Sequence, residues 1–398
     1  MATRATSFTL AAALTIWLSP ANPQADRDEE SGVGRARPAT LHVGADRELK
    51  RPSDAARIAR DGDVIEIDAG TYDRDAAVWR QSRLTIRAAG GRVHLRADGA
   101  QVEGKGTWVF KGSNITIEGL EFSGAKVPDR NGAGVRLEGA GLTVRHCWFH
   151  DNENSILTRN DARSDILVER SEFSRNGSGD GQSHNLYVGK VRSFTMRFSY
   201  VHHAIVGHNV KSRALRSHVA YNRIMDESDG RSSYAVEFPE GGLVFILGNL
   251  IQQGPAAENP TILSYGAEGL HHPLNELHFV NNTVVNDRPA GGRFLFVRRG
   301  ADAARIVNNV LVGRGQLLEG PGEQRHNVVA PAGDLVGAAV YDYRLRAGAA
   351  AIDRGTDPGT AHGLRLWPSN EYVHRAGGRR RPLQGALDAG ALEYRRGR

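Results

Sequence analysis

The chain has 398 residues, of which 40% are hydrophobic, and a formal net charge of +6. That hydrophobic fraction is enough for a large core and excludes a disordered chain. The single cysteine, Cys147, excludes an intrachain disulfide and a metal site built from cysteines. Residues 374–398 carry +5 and residues 1–25 carry +1, so the body of the chain is neutral. The charge therefore does not indicate a nucleic-acid partner, and we expect none.

The N-terminus has the pattern of an export signal. Arg4 precedes an apolar run over residues 8–18, and small residues at positions 19 and 21 suit cleavage after Ala21, with Ala25 as a second choice. We predict a signal peptide over 1–25 and a disordered leader over 26–39. The run is too short to span a bilayer, and no later segment is comparably apolar. Export without disulfides is more typical of bacteria, so we predict a secreted or periplasmic bacterial protein with no membrane span.

The folded part is predicted to begin with a cap. Residues 53–59 (SDAARIA) predict a short helix with Ser53 as its N-cap, which would cover one open end of the fold. Residues 62–73 (GDVIEIDAGTYD) predict the first strand and a turn.

From residue 115 onward, one strand pattern recurs every 23 to 33 residues. Its copies end at Phe122, Phe149, Phe173, Val201, Ile224, Ile251, Val284 and Leu311. Repeats of this length bury an apolar face only by stacking on their neighbours, and three short strands with turns use about this many residues per coil. An asparagine lies two residues before the end of each of the last four copies: Asn222, Asn249, Asn282 and Asn309. We predict that their amides form a hydrogen-bonded ladder along the stack.

These asparagine-marked coils behind a capping helix resemble the right-handed parallel β-helix proteins of the pectate-lyase-like superfamily. Residues 341–394 resemble the C-terminal module that is common in bacterial members. The resemblance implies an all-β fold, a right-handed parallel β-helix of three-strand coils. It implies a single domain over residues 40–394 that includes this module, and we expect a monomer.

A second column of strands precedes the first by one turn. It comprises residues 134–138, 155–159, 185–189, 209–213, 235–239 and 262–266. Side chains alternate between the two sides of a strand, so equivalent positions of successive strands form a file of side chains along the stack. One file points inward, namely Val135, Ile156, Leu186, Val210, Val236 and Leu263. Another points outward, namely Arg136, Leu157, Tyr187, Lys211, Glu237 and Ser264. The next outward file contains Glu138, Arg159, Gly189, Arg213 and Pro239. His184 and His208 are 24 residues, or one coil, apart, so we expect them to stack.

Two coils, SHNLYVGKVRS (183–193) and GHNVKSRALRS (207–217), therefore gather chemically active side chains within about 10 Å, projecting side by side into water. This group fits β-elimination from a uronic-acid-containing polysaccharide. That reaction needs a neutralised substrate carboxylate, a base for the C5 proton and an acid for the O4 leaving group. We predict Lys211 or His208 as the base and Tyr187 or His184 as the acid. A lysine base must be neutral, against a reference pKa of about 10.4, so His208 is an equal candidate.

The remaining predicted site residues bind substrate. Arg213 is predicted at the catalytic centre, where with Arg159 it would hold the substrate carboxylate bidentately. Glu237, Asn185 and Asn209 complete the predicted set. Structural alternatives exist for several of these residues. Lys211 pairs with Glu237 in one alternative, and the two histidines bond backbone groups in turns in another.

The segment NVKS (209–212) is similar to the VKS motif of the chondroitinase-B and alginate-lyase class of β-helix lyases. The resemblance implies that Lys211 is catalytic. The arginine that this class carries one coil later is not matched in YAVEFPEGG, and acidic calcium ligands are not evident before Lys211. We therefore predict a polysaccharide lyase without a cofactor and without a metal site; calcium is possible, but the sequence does not support it.

Three other functions stay open at this point. A glycoside hydrolase needs two carboxylates about 5–9.5 Å apart, and Asp226, Glu227 and Asp229 form the best acidic cluster. A uronate C5-epimerase uses the same proton abstraction as a lyase. A non-catalytic β-helix protein only binds glycan.

Overall fold

The structure is a computed structural model that describes residues 37–395. The predicted signal peptide over 1–25 and most of the predicted leader over 26–39 lie outside the described residues. From Pro38 onward, the described residues form one compact unit. Within residues 37–395, no helix has the length and apolarity needed to cross a membrane.

Most of the described chain is arranged in short strands. The first fifteen are Thr40–Val43 (β1), Val64–Asp73 (β2), Ala77–Trp79 (β3), Thr85–Arg96 (β4), Gly106–Phe110 (β5), Ile115–Glu118 (β6), Leu120–Ser123 (β7), Ala133–Leu137 (β8), Leu142–Arg145 (β9), Trp148–His150 (β10), Asn154–Thr158 (β11), Asp161–Glu169 (β12), Glu172–Ser174 (β13), Leu186–Val188 (β14) and Val191–Arg197 (β15).

The next sixteen strands are Tyr200–His202 (β16), Val210–Ser212 (β17), Arg216–Ala220 (β18), Arg223–Met225 (β19), Val236–Phe238 (β20), Leu243–Leu247 (β21), Leu250–Gln253 (β22), Thr261–Tyr265 (β23), Glu276–Val280 (β24), Thr283–Asn286 (β25), Arg293–Val297 (β26), Ala303–Val307 (β27), Val310–Gly313 (β28), Gln316–Glu319 (β29), Glu323–Arg325 (β30) and Val328–Ala330 (β31). The last six are Leu335–Gly337 (β32), Asp342–Leu345 (β33), Thr360–Ala361 (β34), Leu364–Arg365 (β35), Asn370–Val373 (β36) and Gly377–Arg380 (β37).

Strands β1 to β31 wind into a solenoid with three parallel faces. The first face contains β1, β2, β4, β6, β9, β12, β15, β18, β21, β24, β27 and β30. The second face contains the end of β4 and then β7, β10, β13, β16, β19, β22, β25, β28 and β31. The third face contains β3, β5, β8, β11, β14, β17, β20, β23, β26 and β29. This arrangement confirms the predicted right-handed parallel β-helix of three-strand coils.

The recurring apolar residue marks the second face. Phe122, Phe149 and Phe173 pair in register on β7, β10 and β13, with ring centroids 5.0 and 5.2 Å apart. The same register continues to the end of the solenoid through Val201, Ile224, Ile251, Val284 and Leu311. Each recurring segment forms two strands rather than one. A bend with positive φ separates the strands, as at Gly119 and Asn308.

The predicted asparagine ladder is confirmed. The side-chain amide of Asn222 donates to Asn249 at 3.0 Å, Asn249 to Asn282 at 3.0 Å, and Asn282 to Asn309 at 3.1 Å. The same column continues to Asn327. Each amide also donates to nearby carbonyls, so every bend is held by bonds within and between coils.

A second ladder lies inside the solenoid, beside the third face. It runs through Asn152, Asn176, Asn185, Asn209 and Asp226, joined by side-chain hydrogen bonds of 2.7 to 3.2 Å. All five side chains are buried. The sequence analysis missed this ladder because its members lie in turns of unequal length, where the repeat has no fixed spacing.

The start of the fold differs from the prediction in two ways. A strand, β1, precedes β2 and pairs with it, so residues 62–73 do not supply the first strand. The helix α1 spans Pro52–Ile58 and its N-cap is Arg51, not Ser53. Proline at the first helical position needs no hydrogen-bond acceptor for its nitrogen, and Asp54 accepts the backbone N–H of Arg51 at 2.9 Å.

The C-terminal module is not part of the solenoid. It contains two short 3-10 turns, Ala332–Asp334 and Ala338–Val340, and three antiparallel strand pairs, β32–β33, β34–β35 and β36–β37. Its buried Tyr343, Tyr372 and Leu392 share a hydrophobic cluster with Tyr200 and Met225 of the second face. Its Ala361 and Leu366 share another cluster with Phe245 and Val280 of the first face. The hydrophobic clusters of the module therefore include residues of the first and second faces.

Candidate active site

The register of the third face agrees with the predicted outward file. Tyr187 on β14 pairs with Lys211 on β17, and Lys211 pairs with Glu237 on β20. Leu157 precedes them on β11. The residue that directly precedes each of the three polar residues on its strand is fully buried in the core, namely Leu186, Val210 and Val236. Three polar side chains from consecutive coils therefore lie next to one another on the outer side of this face.

Lys211 lies at the centre of this group, and its side chain is only 12% exposed. Its Nζ is 3.2 Å from Oε2 of Glu237 and 3.6 Å from Oε1 of Glu268. The same ammonium lies 5.8 Å from the ring centroid of Tyr187. The pair with Glu237 is the structural alternative that the sequence left open. Because two carboxylates contact the ammonium, loss of its proton would weaken both contacts.

Arg213 uses all three of its nitrogens within the protein. Its Nη1 and Nη2 bind the two oxygens of Glu268 at 2.7 and 2.9 Å, which is a bidentate fork. Nη1 also lies 2.7 Å from Oε1 of Glu240, and Nε donates to Oη of Tyr187 at 2.9 Å. Burial alone would lower the pKa of Arg213, but Glu268 and Tyr187 outweigh burial and raise it.

Cations and carboxylates balance in this region. Lys190 lies 2.9 Å from Oε2 of Glu240, so three cationic side chains face three carboxylates. Burial would raise the pKa of Glu237 and Glu240, but the neighbouring cations and, for Glu237, His208 outweigh burial and lower both. The hydrogen bond from Arg213 lowers the pKa of Glu268. We call this group the Lys211 cluster: His184, Tyr187, Lys190, His208, Lys211, Arg213, Glu237, Glu240 and Glu268.

The two histidines of the cluster stack, as the sequence predicted. Their ring centroids are 4.6 Å apart and the rings are 21° from parallel. Nδ1 of His184 accepts the backbone N–H of His208 at 3.0 Å, so neutral His184 carries its proton on Nε2. Burial lowers the pKa of both histidines. Both are therefore neutral at neutral pH.

Several buried polar atoms at this site lack a well-directed hydrogen bond. Nδ1 of His208 and Oε2 of Glu237 lie 3.1 Å apart, yet the geometry between them is not that of a hydrogen bond. Oε2 of Glu240 and Oγ of Ser264, on the same face, are also buried without a hydrogen bond. The two carboxylate oxygens are instead held by ion pairs with Lys211 and Lys190, whereas the ladders inside the solenoid are held by hydrogen bonds between amides.

Two predicted substrate-binding residues are placed differently. Asn185 and Asn209 are fully buried members of the second ladder. Each lies directly before an inward residue of its strand. The amide of Asn185 donates to the carbonyl of His202, and the amide oxygen of Asn209 accepts the backbone N–H of Ala204. Their side chains therefore lie inside the solenoid and not on the outer side of the third face, where the sequence analysis placed the substrate.

The cluster is also less open than predicted. His184 is 3% exposed and His208 is 6% exposed, so neither histidine projects freely into water. Arg159 is separate from the cluster. Its Nη1 donates to the carbonyl of Glu138 on the preceding coil at 3.0 Å, in the direction away from Arg213.

Sequence reasoning missed three members of the cluster: Lys190, Glu240 and Glu268. Lys190 and Glu240 follow β14 and β20 by two residues each, just beyond the files that alternation defines. Glu268 lies in the turn after β23, whose path the repeat does not specify. The charge of Lys211 and Arg213 was the only available signal, since a buried cation requires nearby carboxylates.

The acidic run over residues 226–229 does not form a catalytic pair. Asp226 is fully buried and bonds Asn209 and Ser232 inside the solenoid. Glu227 bonds the hydroxyl of Tyr200, and Asp229 bonds His203 at 3.1 Å on the second-face side. These three carboxylates bond different neighbours around the turn and do not converge on one substrate site.

Comparison with solved structures finds the same fold in polysaccharide lyases. The pectate lyase Pel9A superposes with a TM-score of 0.60 at 13% identity, over 90% of this chain and 96% of the pectate lyase. An alginate lyase from Paenibacillus sp. str. FPU-7 superposes with a TM-score of 0.50 at 14% identity, over 73% of this chain and 99% of that lyase. No family model and no curated protein matches the sequence. The chain therefore shares the right-handed parallel β-helix fold of these two lyases, and the predicted resemblance is confirmed at the level of fold.

Proposed function

We propose that the protein is a polysaccharide lyase that cleaves a uronic-acid-containing polysaccharide by β-elimination at the Lys211 cluster. The observation that carries this proposal is the convergence of Tyr187 on β14 with Lys211 on β17 and with His208 and Arg213 beside β17, all on one outer face. The structural neighbours of this fold include a pectate lyase and an alginate lyase. Both names refer to enzymes that act on polymers of uronic acids.

His208 is the proposed base for the C5 proton. Its pKa is lowered by burial, so the imidazole is neutral at neutral pH without the loss of any ion pair. Glu237 lies 3.1 Å from Nδ1 of His208 and favours a proton on that nitrogen, which leaves Nε2 as the basic atom. The Nζ of Lys211 lies between two carboxylates, and its proposed role is to stabilise the negative charge that develops on the substrate.

Tyr187 is the proposed acid for the leaving group. Its Oη accepts the N–H of Arg213 at 2.9 Å, so its own hydrogen is not used in that bond. In the proposed step, His208 takes the C5 proton, the C4–C5 double bond forms, the C4–O4 bond breaks, and Tyr187 protonates O4. His184 is a positioning residue, because its Nδ1 holds the backbone N–H of His208.

Glu268 marks where the substrate carboxylate would bind. Its carboxylate occupies both outer nitrogens of Arg213, although its side chain is 47% exposed. A uronate carboxylate has the same shape and charge as this group, and Arg213 is the predicted ligand for it. We propose that the substrate carboxylate replaces Glu268 on Arg213 during binding.

A glycoside hydrolase is the second candidate, because one observation favours it. Lys211 contacts both Glu237 and Glu268, so two carboxylates lie close together, and glycosidases act with a pair of carboxyl groups. Hydrolysis also needs one of the pair as a protonated acid. The pKa of both carboxylates is lowered, which opposes that role near neutral pH and makes elimination the better proposal.

We also propose that the protein acts outside the cytoplasm, on the pattern of residues 1–25. N-terminal sequencing of the protein recovered from the medium or periplasm of an expressing bacterium tests this. A mature N-terminus at residue 22 or 26 is expected, and an intact Met1 in that fraction would contradict export by cleavage.

The function is tested by incubating the purified protein with pectate, alginate, hyaluronan and chondroitin. Elimination gives an unsaturated uronate that absorbs in the ultraviolet, whereas hydrolysis gives reducing ends without that absorbance. We expect the unsaturated product from at least one polymer. Because His208 must be neutral, we expect activity to fall as the pH decreases through its lowered pKa, below 6.5. Activity that instead rises only in the alkaline range would make Lys211 the base.

A further inference from the structure

A second group of ionisable side chains lies on the second face, away from the Lys211 cluster. His94 on β4, Glu121 on β7 and His150 on β10 come from three adjacent strands. Nε2 of His94 lies 3.6 Å from Oε1 of Glu121, and Nε2 of His150 lies 2.9 Å from the same oxygen. All three candidate donor atoms lie within 4.8 Å of one another.

We propose that His94, Glu121 and His150 bind one Zn²⁺ ion or a similar divalent transition-metal ion. Two imidazole nitrogens and one carboxylate oxygen form a donor set that suits such ions, whereas calcium and magnesium prefer oxygen alone. Zinc bonds of about 2.0–2.2 Å in a tetrahedral arrangement separate neighbouring donor atoms by about 3.3–3.5 Å. The two measured separations lie on either side of that range, so small side-chain rotations create the site.

Neighbouring residues orient two of the three donors. Nδ1 of His150 lies 2.6 Å from Oδ2 of Asp151, which favours a proton on Nδ1 and leaves Nε2 free to bind a metal. Arg92 binds Oε2 of Glu121 at 2.8 Å, so Oε1 is the oxygen that remains for the ion. Carboxylate partners of this kind are a regular feature of metal-binding histidines.

Packing also fixes the ligand rings. The ring of His150 stacks on Trp148 with a centroid separation of 4.1 Å, and Trp148 donates its indole N–H to Ser174 at 3.1 Å. Nε2 of His94 lies 2.7 Å from Oγ of Ser123, so this hydroxyl has to turn away when a metal binds. Rotation of a serine hydroxyl is a small change in a site that is otherwise in place.

The proposed metal site is independent of the proposed lyase activity. It lies on another face of the solenoid, and none of its residues belongs to the Lys211 cluster. Three protein ligands leave a fourth tetrahedral position for water or another small ligand. By joining β4, β7 and β10, the ion would also link three consecutive coils.

The chain offers a matched control. Glu276, His278 and His362 form another group of two histidines and one glutamate among the described residues. There the same carboxylate oxygen contacts both imidazoles, at 3.1 and 2.9 Å, and His278 is fully buried. Glu121→Gln and Glu276→Gln therefore make the same chemical change at the two groups.

The experiment measures Zn²⁺ binding by the untagged full-length protein with a competing chromophoric chelator, and uses the absorption of bound Co²⁺ to report tetrahedral coordination. We expect Glu121→Gln to lose more than about 100-fold in affinity, and Asp151→Asn to lose about 10–100-fold as a residue that orients a ligand. Glu276→Gln should keep the affinity of the Glu121 group. Equal melting temperatures without metal will show that both glutamine variants are folded.

The metal stoichiometry of the variants distinguishes the proposed site from the Glu276 group. Loss of one equivalent of metal in Glu121→Gln and His150→Gln, but not in Glu276→Gln, supports the proposal. A metal stoichiometry and affinity that Glu121→Gln leaves unchanged, or that fall only in Glu276→Gln, overturn it. The assay contains no polysaccharide, so its result does not depend on whether the Lys211 cluster is catalytic.

Discussion

The second ladder and the Lys211 cluster are both buried polar groups that cross the same coils, but they are built differently. The ladder repeats asparagine side chains that end at Asp226, and its amides bond from coil to coil. The cluster combines histidines, a tyrosine, cations and carboxylates, and it retains buried atoms without a hydrogen bond. A column of satisfied amides stabilises the scaffold. A set of dissimilar ionisable groups on one face offers acids, bases and charges to a reaction, and this contrast marks the Lys211 cluster as the candidate active site.

The largest expected effect is on catalysis. Replacing the proposed base in His208→Gln, or the ammonium in Lys211→Met, should lower the rate of unsaturated product formation by about 10²–10⁴-fold. The circular dichroism spectrum should stay that of the wild type, because both side chains lie outside the apolar core.

Arg159→Ala is the matched control for the loss of a cation on the same face. Its side chain bonds the carbonyl of Glu138 and is separate from the cluster, so its rate should remain close to that of the wild type. A loss in Arg159→Ala equal to that in Lys211→Met would show that overall charge, rather than the cluster, controls the rate.

The next effect is on stability as a function of pH. Burial lowers the pKa of His184, His208 and His218, for His218 to about 4. Between that value and 6.5 the unfolded chain binds more protons than the folded one, so the free energy of unfolding should rise with pH in this window. The loss on acidification should be on the order of 3 kcal/mol, measured by urea unfolding at several pH values. A flat profile over this window would mean that these histidines stay accessible to protons.

The ladder should affect stability alone. Asn176→Ala removes the bonds to Asn152, Asn185 and the carbonyl of Phe149, all of them buried. The free energy of unfolding should fall by about 2–3 kcal/mol. Asn370→Ala removes only a bond to Ser369 at the surface and should change it by less than about 0.5 kcal/mol. If the two variants are equally stable, the second ladder does not hold the coils together.

The smallest expected effect is on substrate binding. Glu268→Gln removes the negative charge that competes with a substrate carboxylate for Arg213. Because the displaced ion pair is half exposed and worth about 0–1 kcal/mol, KM should fall by up to about fivefold with little change in kcat. A higher KM in this variant would indicate that Glu268 itself binds the substrate.

The scaffold was predictable from the sequence because it repeats. Positions such as Phe149 and Asn249 recur at the coil spacing, and a repeat specifies both register and burial. The files through Tyr187 and Lys211 follow from strict alternation along each strand. Ser53 failed as an N-cap because Pro52 and Asp54 place the N-cap two residues earlier, at Arg51.

The rest of the site could not be predicted because it comes from turns. Glu268 reaches Arg213 across 55 residues, from a turn whose conformation the repeat does not encode. In the sequence, a buried asparagine such as Asn185 or Asn209 cannot be distinguished from one that binds a ligand. Only the path of the turn before the strand shows that both side chains lie inside the solenoid. The group of His94, Glu121 and His150 was missed for a related reason. His94 and Glu121 pair directly on adjacent strands, but His150 lies two residues beyond the position that pairs with Glu121.

The most direct test of the proposed elimination is proton NMR of a uronic-acid polysaccharide in D₂O, with the wild type and His208→Gln in parallel. We expect the wild type to produce the signal of the proton at C4 on a new double bond, and His208→Gln to produce almost none. New reducing ends without that signal, deuterium at C5 of an uncleaved polymer, or shifted signals without any new product would each contradict elimination at this site.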